Sequence, residues 1–387
     1  MSGHHPSPSK GDLHLWGSCE PCFAAVREAF ETNLAVGDDL GATVAVFHHG
    51  RQVVDIGGGF TVDGAPYAPS TLQLLYSVTK AVTTVCLMDL VQEGQVRLDD
   101  AVTDYWPEFG QNGKQSLTVR DILGHKAGLV GFDVPVDLDW FGDWDRVVGQ
   151  LAAQAPCWPL GSGHGYHALT FGFLVGEIIR RSTGKTVGSL LQERFSEPLG
   201  IGLFIGLPRK YEPWVTPHFD APGGYGTGKA LMTALETPGT PTRRAFTNPP
   251  IDTATFNDPR SWRMEMPAVN GIGNARALAA LFSTMTEGKT CRFSRETVDD
   301  FRAEVSFGPD SVLVEQPTRF GAGFMLACPR EPMLGPGSFG HNGRGGALVF
   351  AHPESGIAFA YVGNRLIHDP TPHGRLWRLL SALRDSL

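Results

Sequence analysis

Apolar positions recur along the chain with two different periods. In PCFAAVREAFETNLAVG, the positions Phe23, Val26, Phe30 and Leu34 fall on one stripe at helical spacing, which predicts an amphipathic helix. The next stretch, GATVAVFHHGRQVVDIGGGF, holds two apolar runs around the turn-like HHGR and predicts a hairpin. LLYSVTKAVTTVCLMDLVQEG then reads as a helix that is apolar nearly all round, the pattern of a buried helix. LTVRDILGHKAGL predicts a short helix stopped by a glycine, and GFDVPVDLDWFGDWD an acidic, aromatic loop.

ALTFGFLVGEIIRRSTGK is a strong helical pattern with Arg180 and Arg181 in its last turn and Gly184 as its stop. TVGSLLQERFSEPLG follows with Thr186 as the expected cap. Residues 205–260 are rich in proline and glycine and show little periodicity, which predicts long ordered loops or small hairpins. ARALAALFSTMTEG, SRETVDDFRAEV and HGRLWRLLSALRDSL read as helices, and FGAGFMLA, GALVFAHP and GIAFAYVGN as strands of an antiparallel sheet. Strands therefore lie near both ends with a helical block between them. The simplest architecture is a two-lobed α+β fold: an antiparallel sheet flanked by helices, formed from both termini, with a mostly helical lobe inserted. The expected division is a flexible segment over 1–18, an α/β lobe from 19–104 and 267–387, and an inserted lobe over 105–266 with the loop-rich 205–260, the active site lying between the lobes.

Charge and composition narrow the function. The 32 basic and 40 acidic residues give a net charge of −8, with no long basic run, which speaks against nucleic acid as a partner. No window of about 18 apolar residues suggests a membrane span, and the opening MSGHHPSPSKGDLHLW has no signal-peptide core. A cytoplasmic location is the expectation, and with it free thiols for the six cysteines. Cys19 and Cys22 form a CxxC, but no second CxxC or nearby HxxxH completes a zinc site, so they read as two thiols at a helix start.

One position breaks the apolar pattern. From Val78 to Val91 the only formal charges are Lys80 and Asp89. A buried helix rarely carries a lysine without a partner. Ser77 lies three residues earlier on the same face. A serine hydroxyl needs a base to become a nucleophile, and a lysine whose pKa is lowered by burial can be one. The pair also fits a helix-start serine and a lysine reaching out to solvent. Two further stretches could meet it. Tyr166, in GYHALTFG, could share a proton network with a serine and a lysine, or simply pack at a lobe interface. FGHNGRGGALVF, with His341 and Asn342, could offer a backbone N–H to an oxyanion, or be a plain hairpin turn. No G-x-S-x-G, HExxH, P-loop or dinucleotide-binding glycine motif is present.

The order S-x-x-K, then a tyrosine opening a helix, then a short H-x-G before a strand resembles the serine β-lactamase and penicillin-binding superfamily, in particular its class C-like, family VIII carboxylesterase branch. TVRDILGHKAGL, PLGSGHGYHALTFGFLVGEIIRR and PAVNGIGNARALA are similar to segments of that branch, and the resemblance runs from about residue 20 to the end. It implies a β-lactamase/DD-peptidase-like fold and Ser77 as the acyl-forming nucleophile. It further implies Lys80 and Tyr166 as the proton-transfer pair, and an oxyanion hole from the Ser77 N–H and one N–H of the turn after Gly343. His341, Asn342, Gly343 and Arg344 would line the substrate side. No metal or organic cofactor is implied.

Two departures shape the expected substrate. The Y-x-N of β-lactamases is here Tyr166-His167-Ala168, and the K-T-G is His341-Asn342-Gly343. The amide that holds a β-lactam side chain is missing, and a fixed charge is replaced by an imidazole. The expectation is a serine carboxylesterase acting on small esters. A β-lactamase or D-amino-acid peptidase, an acyltransferase, and a silent scaffold on the same fold are the alternatives. Phe132, Trp140, Phe141 and Trp144 are expected either to line an acyl or alcohol pocket or to be core.

Overall fold

The computed structural model describes residues 13–221, 228–314, 317–329, 333–367 and 374–387. Among these, nine strands form one antiparallel sheet: β1 (Trp16–Cys19), β2 (Gly41–His48), β3 (Arg51–Gly59), β4 (Ser306–Gly308), β5 (Thr318–Phe320), β6 (Met325–Leu326), β7 (Phe339–Asn342), β8 (Leu348–His352) and β9 (Ile357–Gly363). Their order is β1-β3-β2-β9-β8-β7-β6-β5-β4, so the sheet is closed in its middle by the pairing of β2 with β9, from the two ends of the chain. β1 lies within the segment expected to be flexible. It pairs with β3 from Trp16 opposite Gly57 to Cys19 opposite Val54. The indole of Trp16 lies on Gly57, where an added Cβ would come within 2.2 Å of the ring. The rest of the expected flexible segment up to residue 12 lies outside the described residues.

The central strands are buried on both faces, and their alternation assigns each face. Val44, Val46, Phe350 and Phe359 pack with the helices α1 (Ala24–Ala35) and α6 (Arg375–Asp385), through Phe30, Leu34, Leu379 and Leu383. Ala45, Val349, Ala351, Ala358 and Ala360 turn the other way, to α2 (Val78–Gln92) and α5 (Ala275–Ser283). The alanines keep that face shallow, so the alanine-rich α5 seats closely on the strands.

α2 is buried from Val78 to Leu90, as its all-round apolar pattern requires. Its threonines fasten it to the segment before α5: Thr83 Oγ1 donates to Pro267 O (2.6 Å), and Thr79 Oγ1 accepts from Gly271 N (2.8 Å). Asp89 is held by Arg292 at 2.7 and 2.9 Å. On the other side of α2 stand the helices of the middle block, α3 (Trp144–Ala153) and α4 (Thr170–Thr183) among them. α4 ends at Gly184 (φ 71°), and its Arg180 and Arg181 both close on the buried carboxylate of Glu177. Thr186 caps the next helix by accepting from Ser189 N.

Residues 205–260 differ from the expected loops and hairpins. Short helices occupy Lys229–Glu236, Pro241–Thr247, Thr253–Asn257 and Pro259–Arg263, and three of them begin with side-chain caps from Thr240, Asp252 and Asp258. Helices of five to eight residues are too brief to show a 3.6-residue period among prolines, which here sit at first-turn positions.

Candidate active site

Ser77 stands directly before the first turn of α2, preceded by Tyr76 in the left-handed region (φ 46°). That sharp corner projects the serine from the end of the β-bridge region into the helix N-terminus, where backbone N–H groups favour negative charge. One turn on, Lys80 is fully buried. Its Nζ lies 2.7 Å from Ala168 O, 3.0 Å from Ala268 O and 3.3 Å from Ser77 Oγ. Among the described residues no carboxylate pairs with it, and desolvation holds the amine well below the ordinary lysine value. A second buried lysine makes a useful contrast. Lys114 Nζ donates to Gln111 O, Ala152 O and Gln154 O at 2.8, 3.0 and 2.6 Å, three acceptors for the three N–H groups of an ammonium.

Ala168 brings Lys80 and Tyr166 together, because its carbonyl belongs to the same short segment. The ring of Tyr166 is centred 4.6 Å from Lys80 Nζ. The segment is fixed from behind by Asp310, whose Oδ1 accepts from Tyr166 N (3.1 Å), Val312 N and Leu313 N (both 2.8 Å), while Oδ2 accepts from Thr318 Oγ1 at 3.0 Å. The Ala268 carbonyl is brought in by α4: Gly172 lies so close to it that a Cβ would stand 2.4 Å from Ala268 N. Neither Asp310 nor the two carbonyls was foreseen from the sequence. Backbone acceptors carry no side-chain signature, and the aspartate sits in an unremarkable GPDSV stretch.

His341, Asn342, Gly343 and Arg344 arrive at the same place on β7 and the turn after it. Asn342, Gly343 and Arg344 line the cavity into which Ser77 opens, whereas His341 is buried behind them. His341 Nδ1 donates to Asn342 O at 2.6 Å, leaving Nε2 as the unprotonated nitrogen. The Gly343 N–H is taken by Ala347 O at 2.7 Å, so it is engaged within the turn. Arg344 donates to Ile251 O (2.7 Å) and faces Asp220 (3.4 Å).

Three neutral imidazoles surround the lysine. His167 Nε2 accepts from Leu129 N at 3.1 Å and its Nδ1 donates to Gly165 O at 2.8 Å; His125 Nδ1 accepts from His167 N at 3.1 Å. Burial depresses His167 and His341 to about 3 and His125 well below 6.5. Folded values below unfolded ones mean that the unfolded chain binds more protons at acidic pH. The stability of these sites is complete above pH ~6.5 and is lost as pH falls toward about 3. Each imidazole adds a slope of up to ~1.4 kcal/mol per pH unit in that window. Urea midpoints measured from pH 7.5 downward should fall steeply below pH ~6.5, and a flat profile across this window would refute the neutral, buried assignment.

The cavity over Ser77 measures about 520 Å³, and Tyr76, Ser77, Tyr166 and Ala168 form its floor. Phe132, Trp140, Phe141 and Trp144 do not line it. They belong to the core, with Phe141 and Trp144 stacked or tilted on Phe173 at 5.5 and 5.0 Å. Cys19 and Cys22 are free thiols, and among the described residues no group of three or more His, Cys, Asp or Glu side chains could hold a metal ion. Among them, too, no helix is long and apolar enough to cross a membrane.

A serine at a sharp corner, a desolvated lysine one turn along and a tyrosine ring beside the amine thus meet at the cavity, on a fold of an antiparallel sheet flanked by helices, the arrangement of the serine β-lactamase-like superfamily. The family model described as Beta-lactamase matches residues 26–383, and the chain belongs to that family. Among its relatives, the esterase/beta-lactamase LipL of Mycobacterium tuberculosis is 33% identical over 376 residues, 94% of this chain and 86% of that protein. A penicillin-binding protein homologue from Caulobacter crescentus superposes with a TM-score of 0.85 at 39% identity, covering 96% of this chain and 100% of the other. A family VIII carboxylesterase superposes at 0.88 with 31% identity, covering 97% and 100%.

Proposed function

We propose that the protein is a carboxylesterase that hydrolyses small esters through an acyl-Ser77 intermediate, with Lys80 and Tyr166 moving the proton. The observation that carries this reading is the environment of Lys80. Two of its three nearest polar neighbours are backbone carbonyls, which accept but cannot give up a proton. A neutral amine that donates its two hydrogens to Ala168 O and Ala268 O turns its lone pair to the third neighbour, the Ser77 hydroxyl. Ser77 Oγ attacks the ester carbonyl carbon as its proton passes into the Lys80–Tyr166 network. The oxyanion is received by the Ser77 N–H and by an N–H of the turn beyond Gly343, whose own N–H is engaged. Collapse breaks the C–O bond, the proton goes to the departing alcohol, and water then hydrolyses acyl-Ser77 by the same path. On this reading the site lies between the sheet-bearing lobe, residues 16–104 and 267–387, and the helical lobe of 105–266.

The choice of ester over β-lactam rests on the two substituted positions. Ala168 offers no side-chain amide, and His341 is neutral, buried and not among the residues lining the cavity, so neither supplies a partner for an acylamino group or a ring carboxylate. Losing both partners removes ~3 kcal/mol or more of transition-state binding. Simple p-nitrophenyl esters are therefore expected to exceed nitrocefin by at least ~100-fold in kcat/KM. A fluorophosphonate adduct should map to Ser77 by peptide mass spectrometry. Labelling at Ser162 or Ser338 would reject the nucleophile, and equal efficiency on nitrocefin would restore the β-lactamase alternative. Transfer of the acyl group to an added alcohol would reveal acyltransferase activity through the same intermediate.

A further inference from the structure

We infer that this site takes an uncharged ester with one hydrocarbon limb of medium length, a deepening that rests on the esterase reading above. The cavity of about 520 Å³ is within the range of sites that enclose most of a drug-sized ligand. It is far larger than acetate requires. Its walls away from Ser77 come from three separate elements: Leu231 and Leu235 on the helix Lys229–Glu236, Phe246 and Ile251 after it, and Leu376 and Leu380 on α6. Leu231 and Leu235 are one helical turn apart, so both face the same space. Apart from Leu380, these side chains are only half-buried, although they converge on a concavity. Apolar surface gathered in a concave site and left partly wet gains when a hydrocarbon displaces that water.

The polar atoms of the cavity point to the same ligand. Among the described residues, its charged lining side chains are Asp252, Arg319, Arg344 and Arg375, and each already has a partner within the protein. Asp252 accepts from Thr255 N at 2.7 Å, Arg319 meets Glu304 at 2.6 Å, Arg344 donates to Ile251 O at 2.7 Å, and Arg375 meets Asp39 at 2.8 Å. A charged substrate limb would give up its hydration and meet, among the described residues, only charges that already have partners. A hydrocarbon limb asks for none.

The test uses the full chain and p-nitrophenyl acetate, butyrate, octanoate and hemisuccinate, with ethyl and octyl acetate as a second series that lengthens the alcohol limb instead. Each methylene that leaves water is worth about 3-fold in kcat/KM. At least ~10-fold between the short and the octyl member of one series is expected, with the hemisuccinate at least ~10-fold below butyrate. The series that rises identifies which limb the cavity holds. Leu235→Asp, on a surface helix where it does not endanger folding, should collapse the octyl-to-short ratio. A flat or falling profile in both series, a hemisuccinate equal to butyrate, or an unchanged ratio in Leu235→Asp would overturn the inference while leaving the esterase reading standing. Failure to hydrolyse any ester would overturn that reading itself.

Discussion

Lys80→Ala is expected to lower kcat for ester hydrolysis by ~10²- to 10⁴-fold or more, with the protein still folded. The side chain's burial, its two carbonyl partners and its approach to Ser77 leave it no role in an ion pair, so its removal strands no opposite charge. Ala168 O and Ala268 O do lose a donor, at about 1–3 kcal/mol for each acceptor left dry. The vacated space and the loss of an amine that burial disfavours work against that cost. Tyr166→Phe should impair turnover severely as well. Two residues on one proton path are not additive, so the double variant should fall little below the worse single one. Single-turnover and steady-state rates, with circular dichroism as the control for folding, decide the matter. Near-wild-type turnover in folded Lys80→Ala would end the proposed mechanism.

Lys114→Met should give the opposite result, a large loss of stability and no direct loss of chemistry. Here the ammonium satisfies three carbonyls, two of them from Ala152 and Gln154 at the C-terminus of α3, where a positive charge is favoured. Methionine fills the space but leaves Ala152 O and Gln154 O without that donor, while Gln111 O keeps the backbone N–H of residue 114 at 3.2 Å. About 2 kcal/mol or more should be lost, a large share of the 5–15 kcal/mol that holds a typical domain. The urea midpoint should drop accordingly, while the kcat of the molecules that remain folded stays near that of the parent. An unchanged midpoint would show that water reaches those carbonyls. On the proposed mechanism the two lysines separate roles that burial alone does not distinguish: three fixed acceptors suit a structural cation, two acceptors and a hydroxyl suit a base.

Much of this was legible in the sequence where side chains themselves carry the information. GALVFAHP and GIAFAYVGN announced central strands because both faces of the sheet are covered, and α2 announced its burial because almost nothing in it is polar. Lys80 stood out against that background for the same reason. β1 was missed because four residues of mixed exposure make too short a run, and its partner Gly57 has no side chain to pair. The helices within 205–260 were missed because each runs for little more than one or two turns, too few for the period to stand out. At the site, Ser77, Lys80, Tyr166 and His341 are marked by residue type. The cradle of Ala168 and Ala268 is not, since any residue could supply those carbonyls. The aromatic residues Phe132, Trp140, Phe141 and Trp144 illustrate the converse: composition allowed a pocket, and only packing against Phe173 places Phe141 and Trp144 in the core.

The seam at Gly172 has a consequence for how this enzyme can fail and adapt. The partners of Lys80 come from 88 and 188 residues further along the chain, and they meet only while α4 lies against Pro267 and Ala268. On the proposed mechanism, a slippage of this seam that let water reach the amine would return it toward an ordinary protonated lysine and switch off the base, with every strand of the sheet still paired. Activity on that mechanism thus hangs on one docking contact within the apolar core, between α4 and the segment of Pro267 and Ala268. Adaptation to heat or solvent in this lineage has to work first on that contact, and a sturdier sheet by itself would preserve a well-folded but idle protein.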